Sequence, residues 1–379
     1  MMGPSDATNP SLLPMGFVDL LPGEAEAEAR GIATVMDVFA AYGYERVRPP
    51  LLEFETSLLS GAGEALAEQS FRLLDPSSHR MMALRPDMTT QIARIAQVRL
   101  QDMPRPLRLS YAGDCVVIGT PGRESDRQIL QTGIELIGPD SAQADAEVIA
   151  LGAEALTALG IKGVSFDLSM PVMIWTLIDQ AFEGTKREVL IHALDRRDVA
   201  AVAEEGGALA PLLSGLMDAA GPADQALERL RALSFPASLK PYLDRLQESV
   251  AALKKRLPSL RLTIDPVDFR GWRYHTGLCV TVFALKSRDE LGRGGRYLAG
   301  DEPACGLTLH PEALLKVAPL PLRRPRCLVP SGLAHETLST LHKEGFATIE
   351  ALGEAHLSAE VARRLRCSHL WHNGCAEAL

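Results

Sequence analysis

The chain has 379 residues, of which 46% are hydrophobic and 23% are charged, and its formal net charge is −9. These proportions are typical of a soluble globular protein and argue against a disordered chain. No apolar run reaches the roughly 20 residues that a membrane helix needs. The excess of acidic residues also makes binding of tRNA unlikely, because nucleic-acid binding requires cationic surface.

Six cysteines are scattered along the sequence, at positions 115, 279, 305, 327, 367 and 375. Their spacing does not suggest a disulfide framework, so we expect reduced thiols and a cytoplasmic protein. The first fifteen residues contain no basic stretch followed by an apolar one, and we therefore expect no secretory signal.

The stretch EAEAEARGIATVMDVFAAYGY, which starts at Glu24, predicts an amphipathic helix that ends at Gly43. The following ERVRPPLLE predicts an extended segment, and its two prolines keep it out of a central strand. A hairpin is expected next, with arms at 71–74 and 81–84, and it leads into Arg85-Pro86-Asp87. Arg85 has two equally plausible roles, as partner of a surface carboxylate or as a side chain facing a site.

Residues 84–138 predict a helix that ends before Pro104, followed by two strands near 107–111 and 129–136. A polar loop at 119–126 joins these strands. Further along, the patterns predict a helix after Gly138, a strand at 164–168 and a helix at 171–182. Strands are expected again at 262–264, 278–285 and 304–309.

Residues 186–256 are rich in Ala, Leu, Glu and Arg, and predict about four short helices inserted into the β core. Two interpretations are equally supported: a module that contacts a partner or substrate, and a helical cap that stabilises the core. The sequence after Pro325 predicts a β-α-β-α-β module. We therefore expect one domain at 1–325 and a small C-terminal α/β module at 326–379.

Four fragments in order carry a family resemblance. LRPDMTTQIARIAQVRL with PRPLRLSYAGDCVVIG and RQILQTGIELIG resembles the second signature motif of class II aminoacyl-tRNA synthetases, and of histidyl-tRNA synthetase in particular. FAAYGYERVRPPLLE, FRGWRYHTG and RGGRY occur in the family's order. The resemblance implies an α+β fold with an antiparallel sheet flanked by helices. It also implies a homodimer formed through the helix after Glu24, although that helix has the pattern of an ordinary amphipathic surface helix too.

Two positions depart from the synthetase. Val117 and Ala313, the latter in ACGLTLHPEALL, stand where the family has arginines that bind the phosphates of ATP. Neither side chain can neutralise a phosphate. The chain thus resembles the regulatory subunits of ATP phosphoribosyltransferase, which implies a non-catalytic protein without a cofactor. The implied partner is the short-form catalytic subunit, and the implied effector is histidine, in the first step of histidine biosynthesis. The alternatives are an active histidyl-tRNA synthetase and another class II-like amino-acid-binding protein.

The resemblance assigns a histidine site and no catalytic residues. Arg270 is implied at the carboxylate, Asp87 and Gln131 at the amino group and carboxylate, and Glu135 at the imidazole. The full predicted set is Asp87, Gln131, Glu135, Arg270, Tyr274, His275 and Tyr297. From the residues themselves, Gln131 and Glu135 share one strand face, which favours a polar-lined pocket. Tyr274 and Tyr297 could equally be core aromatics, and Gly294-Gly295 could be an ordinary tight turn.

A separate cluster near the end of the chain contains Cys367, His369, His372 and Cys375. These residue types can bind zinc, but the spacing matches no standard zinc finger. We expect a strand end followed by a frayed tail, and no metal.

Overall fold

In this computed structural model, the described residues are 13–59, 66–119, 126–269, 274–285, 287–319, 324–353 and 356–379. Within them the chain forms two compact units, one from residues 13–19 and the described part of 28–319, and the other from residues 20–27 and the described residues after 323. The sequence-based division into domains at 1–325 and 326–379 stays a prediction. Most of the predicted loop at 119–126 lies outside the described residues, as do Arg270 and Arg273.

The elements up to residue 319 alternate between helices and strands. The helices are α1 (Glu24–Ala41), α2 (Glu55–Leu58), α3 (Thr89–Val98), α4 (Ala142–Ala158), α5 (Pro171–Ala181), α6 (Gly184–Asp195), α7 (Val199–Glu205), α8 (Ala210–Asp218), α9 (Ala223–Ala232), α10 (Lys240–Arg256) and α11 (Pro311–Val317). The strands are β1 (Glu45–Arg46), β2 (Leu52–Phe54), β3 (Arg72–Leu74), β4 (Met81–Leu84), β5 (Leu107–Val116), β6 (Gln128–Ile137), β7 (Val164–Ser169), β8 (Gly221–Pro222), β9 (Arg261–Ile264), β10 (His275–Ala284), β11 (Gly292–Ala299) and β12 (Glu302–Leu309).

The described part of this unit contains a nine-stranded sheet in the order β1-β5-β6-β12-β11-β10-β7-β9-β8. Its centre, from β5 to β7, is antiparallel, while β1 and β9 each pair in parallel with a neighbour. Strands β2, β4 and β3 form a separate small sheet, which contains the predicted hairpin. The predicted α+β fold with a mainly antiparallel sheet is therefore confirmed.

The two faces of the large sheet have different coverings. On one face, Ile92 and Ala96 of α3 pack against Leu109 and Tyr111 of β5 in a fully buried apolar cluster. On the other face α4 crosses β12 closely, because Gly152 leaves room for the side chain of Leu307. Side chains alternate between the two faces along each strand. The polar residues of the candidate site lie on the same face as α3.

Most predicted elements are confirmed, with local differences. The insertion contains five α-helices, α6 to α10, rather than about four, and α10 packs along α4. The apolar face predicted for α1 is buried within this chain at Val35, Met36 and Phe39. The tight turn considered at Gly294-Gly295 is wrong, because both glycines lie inside β11.

The second unit contains β13 (Arg326–Pro330), α12 (His335–Lys343), β14 (Ala347–Ala351), α13 (Ala359–Arg364), β15 (His369–His372) and β16 (Cys375–Ala378). Its four-stranded sheet has the order β14-β13-β15-β16, so the predicted β-α-β-α-β pattern is confirmed. The frayed tail is wrong: Asn373, with a positive φ of 49°, and Gly374 turn the chain into β16, which pairs with β15.

Candidate functional site

A pocket opens on the α3 side of the large sheet, where β6, β12, β11 and the start of β10 lie side by side. The described residues that line it are Asp87, Thr89, Gln131, Glu135, Tyr274, His275, Arg293, Gly294, Gly295, Tyr297, Gly306, Thr308 and His310. Six of the seven predicted site residues are therefore brought together in one cavity. The seventh, Arg270, lies outside the described residues.

Three glycines shape the floor of the pocket by leaving space for polar neighbours. A Cβ atom on Gly306 would lie 1.9 Å from Oε2 of Glu135, and one on Gly133 would lie 2.6 Å from the Tyr111 hydroxyl. A Cβ on Gly295 would lie 2.7 Å from Cδ2 of His275. Register places Glu135, Gly306 and Gly295 side by side across β6, β12 and β11. Because Gly306 and Gly295 have no side chains, the space beside Glu135 stays open and forms the cavity.

Glu135 is buried in the pocket, and two tyrosine hydroxyls donate hydrogen bonds to it. Tyr297 donates a hydrogen bond to Oε2 of Glu135 at 3.0 Å, and Tyr111 donates one to Oε1 at 3.3 Å. The Tyr111 hydroxyl also lies 2.8 Å from Oγ1 of Thr308. Burial raises the pKa of Glu135 to about 8, against the lowering effect of the Tyr297 hydrogen bond. The carboxyl is consequently protonated for the most part near neutral pH.

Asp87 and Gln131 form a second polar group nearer the start of α3. Nε2 of Gln131 donates to Oδ2 of Asp87 at 3.0 Å, and the Thr89 amide donates to Oδ1 at 2.7 Å. Oε1 of Gln131 accepts a hydrogen bond from the Met88 amide at 3.0 Å. Each carboxylate oxygen of Asp87 has a second lone pair, so the group can also accept from a ligand ammonium.

The two aromatic residues at the start of β10 differ in their exposure. Tyr274 is 40% exposed, whereas His275 is 6% exposed, and their ring centroids lie 3.9 Å apart. Burial lowers the pKa of His275 to about 3, with a further contribution from the positive charge of Arg293. The His275 ring is therefore neutral and polar at neutral pH.

Sequence analysis missed several polar residues of the pocket: Thr89, Arg293, Thr308 and His310. Strand alternation could not have found Arg293, because its strand, β11, is not predicted from the sequence GRGGRYLA. Arg85 has neither of its predicted roles. Its buried side chain donates to the carbonyl oxygens of Pro49 at 3.0 Å and Asp114 at 2.6 Å.

The described residues contain no group of three or more His, Cys, Asp or Glu side chains arranged to hold a metal. No helix in the described part of the chain is both long enough and apolar enough to cross a membrane.

Comparisons with known proteins agree with this geometry. A family model of histidyl-tRNA synthetase matches residues 16–314. The fold is similar to a solved Bacillus halodurans protein described as an ATP phosphoribosyltransferase regulatory subunit/histidyl-tRNA synthetase, with a TM-score of 0.79, 22% identity, and coverage of 96% of this chain and 98% of that chain. Histidyl-tRNA synthetase from a Nostoc species is similar too, with a TM-score of 0.78, 19% identity, and coverage of 96% and 91%.

Curated relatives are more closely similar in sequence. The ATP phosphoribosyltransferase regulatory subunit of Gluconobacter oxydans is 66% identical over 99% of this chain and 99% of its own length. The protein of the same name from Paramagnetospirillum magneticum is 46% identical, over 96% of this chain and 97% of its own. The chain therefore belongs to the histidyl-tRNA synthetase family, and within it to the ATP phosphoribosyltransferase regulatory subunits. The prediction of a regulatory rather than an aminoacylating protein is confirmed.

Proposed function

We propose that this chain assembles with a short-form ATP phosphoribosyltransferase catalytic subunit, and that its pocket binds free histidine as the feedback effector of that enzyme. One observation carries the proposal: the pocket retains groups suited to a small zwitterion, while the neighbouring positions expected to hold phosphates have lost their cations. The proposal includes a cytoplasmic location and a homodimer core, as expected from the sequence.

The retained groups match the chemistry of histidine. An ammonium group requires acceptors, which Asp87 and Gln131 supply, and an imidazole requires a donor and an acceptor because one ring nitrogen is protonated. A protonated Glu135 carboxyl offers both, with Tyr297 fixing its orientation at 3.0 Å. Neutral His275 adds a second polar ring to the wall. The predicted histidine contacts are thus chemically consistent with one bound amino acid.

The expected nucleotide half of the site has different chemistry. The Val117 amide donates to the Arg127 carbonyl oxygen at 2.8 Å, and Ala313 is buried in α11. The guanidinium of Arg127 lies 4.6 Å from the centre of the Phe71 ring, where it is engaged in a cation–π contact. Arg85 is likewise committed to backbone carbonyls. The Arg85 side chain is therefore held by backbone carbonyls, whereas the buried Nε of Arg127 has no hydrogen-bond partner among the described residues.

Carboxylates lie in this region as well. The pKa of Glu28 is raised by burial, with further contributions from the negative charges of Glu312 and Asp114. Glu312 is adjacent to Ala313, and its Oε1 accepts a hydrogen bond from the Leu130 amide. These carboxylates supply no positive charge that could replace the two expected arginines.

Regulation would operate by a population shift. Histidine must bind the inhibited assembly more tightly than the active one, because a ligand with equal affinity for both states shifts nothing. The helical insertion from α6 to α10 is a candidate partner surface, with the stabilising cap as the alternative interpretation.

The decisive experiment measures phosphoribosyltransferase activity of the short catalytic subunit with and without this chain, over a histidine titration. We expect activity to require the chain and histidine to inhibit the complex. Glu135→Ala should abolish inhibition and leave assembly intact, whereas Glu344→Ala, at an exposed position that follows α12, should change neither. Activity that does not depend on the chain would contradict the proposal, as would calorimetry that detects no histidine binding to the complex.

An ATP–pyrophosphate exchange assay tests the synthetase alternative. We expect no histidine-dependent exchange, because the phosphate-binding arginines are replaced by Val117 and Ala313. Co-purification separates the remaining alternative: a different class II-like amino-acid-binding protein would not need a phosphoribosyltransferase partner.

A further inference from the structure

We propose that Arg293 binds the carboxylate of the free amino acid held in the pocket, with Glu290 as its positioning residue. This inference rests on the proposed function and names a contact within the same site. It adds a cation from β11 to the predicted set, in which Arg270 was the one cation expected at the carboxylate.

The sheet register places Arg293 two residues along β11 from the row that contains Glu135. Gly295 pairs with Gly306, which pairs with Glu135, and this row contains the carboxyl expected to meet the imidazole. Arg293 pairs with Thr308 and lies two residues from Gly295 on the same face of β11. Two residues of strand span on the order of 7 Å. That span is comparable to the length of histidine from its ring to its carboxylate.

The charges of the pocket lead to the same assignment. Among the described side chains that line the cavity, Arg293 is the one with a permanent positive charge. Asp87 supplies the negative charge for an ammonium group, and a zwitterion requires one of each sign. The proximity of Arg293 to the cavity wall is also visible in His275, whose pKa its charge helps to lower.

Glu290 holds the Arg293 guanidinium in a fixed plane. Nε donates to Oε1 of Glu290 at 2.5 Å, and Nη2 donates to Oε2 at 2.6 Å. A guanidinium has five N–H donors, so an arginine oriented by one carboxylate can bind a second. The Arg293 side chain is 50% exposed, which leaves it accessible to a ligand from solvent.

The test compares histidine with histamine, which has the same ring and ammonium group but no carboxylate. Binding is measured by calorimetry on the complex of the full chain with its catalytic subunit. Arg293→Met should weaken histidine binding by about 30-fold, since hydrogen bonds between charged groups are the strong ones. The same variant should change histamine binding by less than about threefold. Arg288→Met, at an exposed position of the same turn, should change neither.

Several outcomes would overturn the assignment. Equal weakening of histidine binding and histamine binding by Arg293→Met would indicate a structural role for Arg293. Equal melting temperatures of the variants and the wild-type chain would show that the variants fold. If Arg270→Met, and not Arg293→Met, removed the preference for histidine over histamine, the carboxylate contact would be assigned to Arg270. Binding of inorganic phosphate that requires Arg293 and is not displaced by histidine would make the site a phosphate site. Absence of histidine binding by the wild-type complex would instead contradict the proposed function itself.

Discussion

The Arg296 guanidinium donates two hydrogen bonds to Oδ1 of Asp145, from Nε at 2.9 Å and from Nη2 at 2.6 Å. Both residues are buried, and the pair joins β11 to α4. From α10, Ser249 donates to Oδ2 of Asp145 at 3.4 Å. Arg296 precedes Tyr297 in the chain, so adjacent residues of one strand contact the pocket on one face of the sheet and α4 on the other.

We expect Arg296→Met to reduce the free energy of unfolding by about 3 kcal/mol, because removing one partner leaves a buried carboxylate insufficiently compensated. Urea denaturation of the full chain measures this change. The control is Arg187→Met, which removes a pair with Asp179, a residue whose side chain is 55% exposed. Exposed pairs contribute at most about 1 kcal/mol, so equal losses in the two variants would contradict the argument.

Glu135 should make stability fall as pH rises. Its pKa is raised by burial from 4.5 to about 8, so between these values the folded state holds a proton that the unfolded state has released. The pKa of His275 is lowered to about 3, and that residue therefore acts in the opposite direction, adding stability as pH rises through the acid range up to about 6.5. Between about pH 6.5 and 8, the His275 effect no longer operates and the Glu135 effect remains.

Glu135→Gln removes this titration. We expect its free energy of unfolding, relative to wild type, to increase by roughly 2 kcal/mol between pH 6.5 and 8. Urea denaturation at several pH values provides the measurement, and the exposed Glu248→Gln serves as the control. A difference between Glu135→Gln and wild type that is independent of pH would show that Glu135 has no raised pKa.

Gly306→Ala should abolish histidine binding, because the new Cβ would lie 1.9 Å from Oε2 of Glu135 and 2.4 Å from its carboxyl carbon. Displacing a buried, hydrogen-bonded carboxyl should also cost about 1 to 3 kcal/mol of stability. Gly353→Ala is the control, since the nearest contact of its Cβ among the described residues would be the 3.5 Å to Nδ1 of His356. Calorimetry and denaturation together test the prediction, and an unchanged affinity for histidine would refute it.

Local patterns were sufficient for elements with strong periodicity. The helix α4 and the pair β5 and β6 follow from apolar spacing, since burial of one face is encoded in residues near each other in sequence. Strand β11 was not predicted because GRGGRYLA contains three glycines, which have low strand propensity. Strand β16 was missed because CAEA is short, and its pairing depends on the turn at Asn373-Gly374.

The candidate site divides in a similar way. Asp87, Gln131 and Glu135 could be assigned from the order of sequence motifs and from strand alternation. The contributions of Arg293, Thr308 and His310 could not, because they depend on β11 and β12 lying beside β6, and residues more than 150 positions apart become neighbours only through that pairing.

The sequence alone determined the family and the α+β fold, because these follow from residue types in a fixed order; the replacement of two phosphate-binding arginines by Val117 and Ala313 is what the family resemblance implies. Only the tertiary structure decided which side chains share the cavity and which carboxyl is protonated. The pKa of Glu135 is set by burial beneath Tyr297 and Tyr111, and burial results from the packing of distant strands rather than from the residues that adjoin Glu135 in the chain.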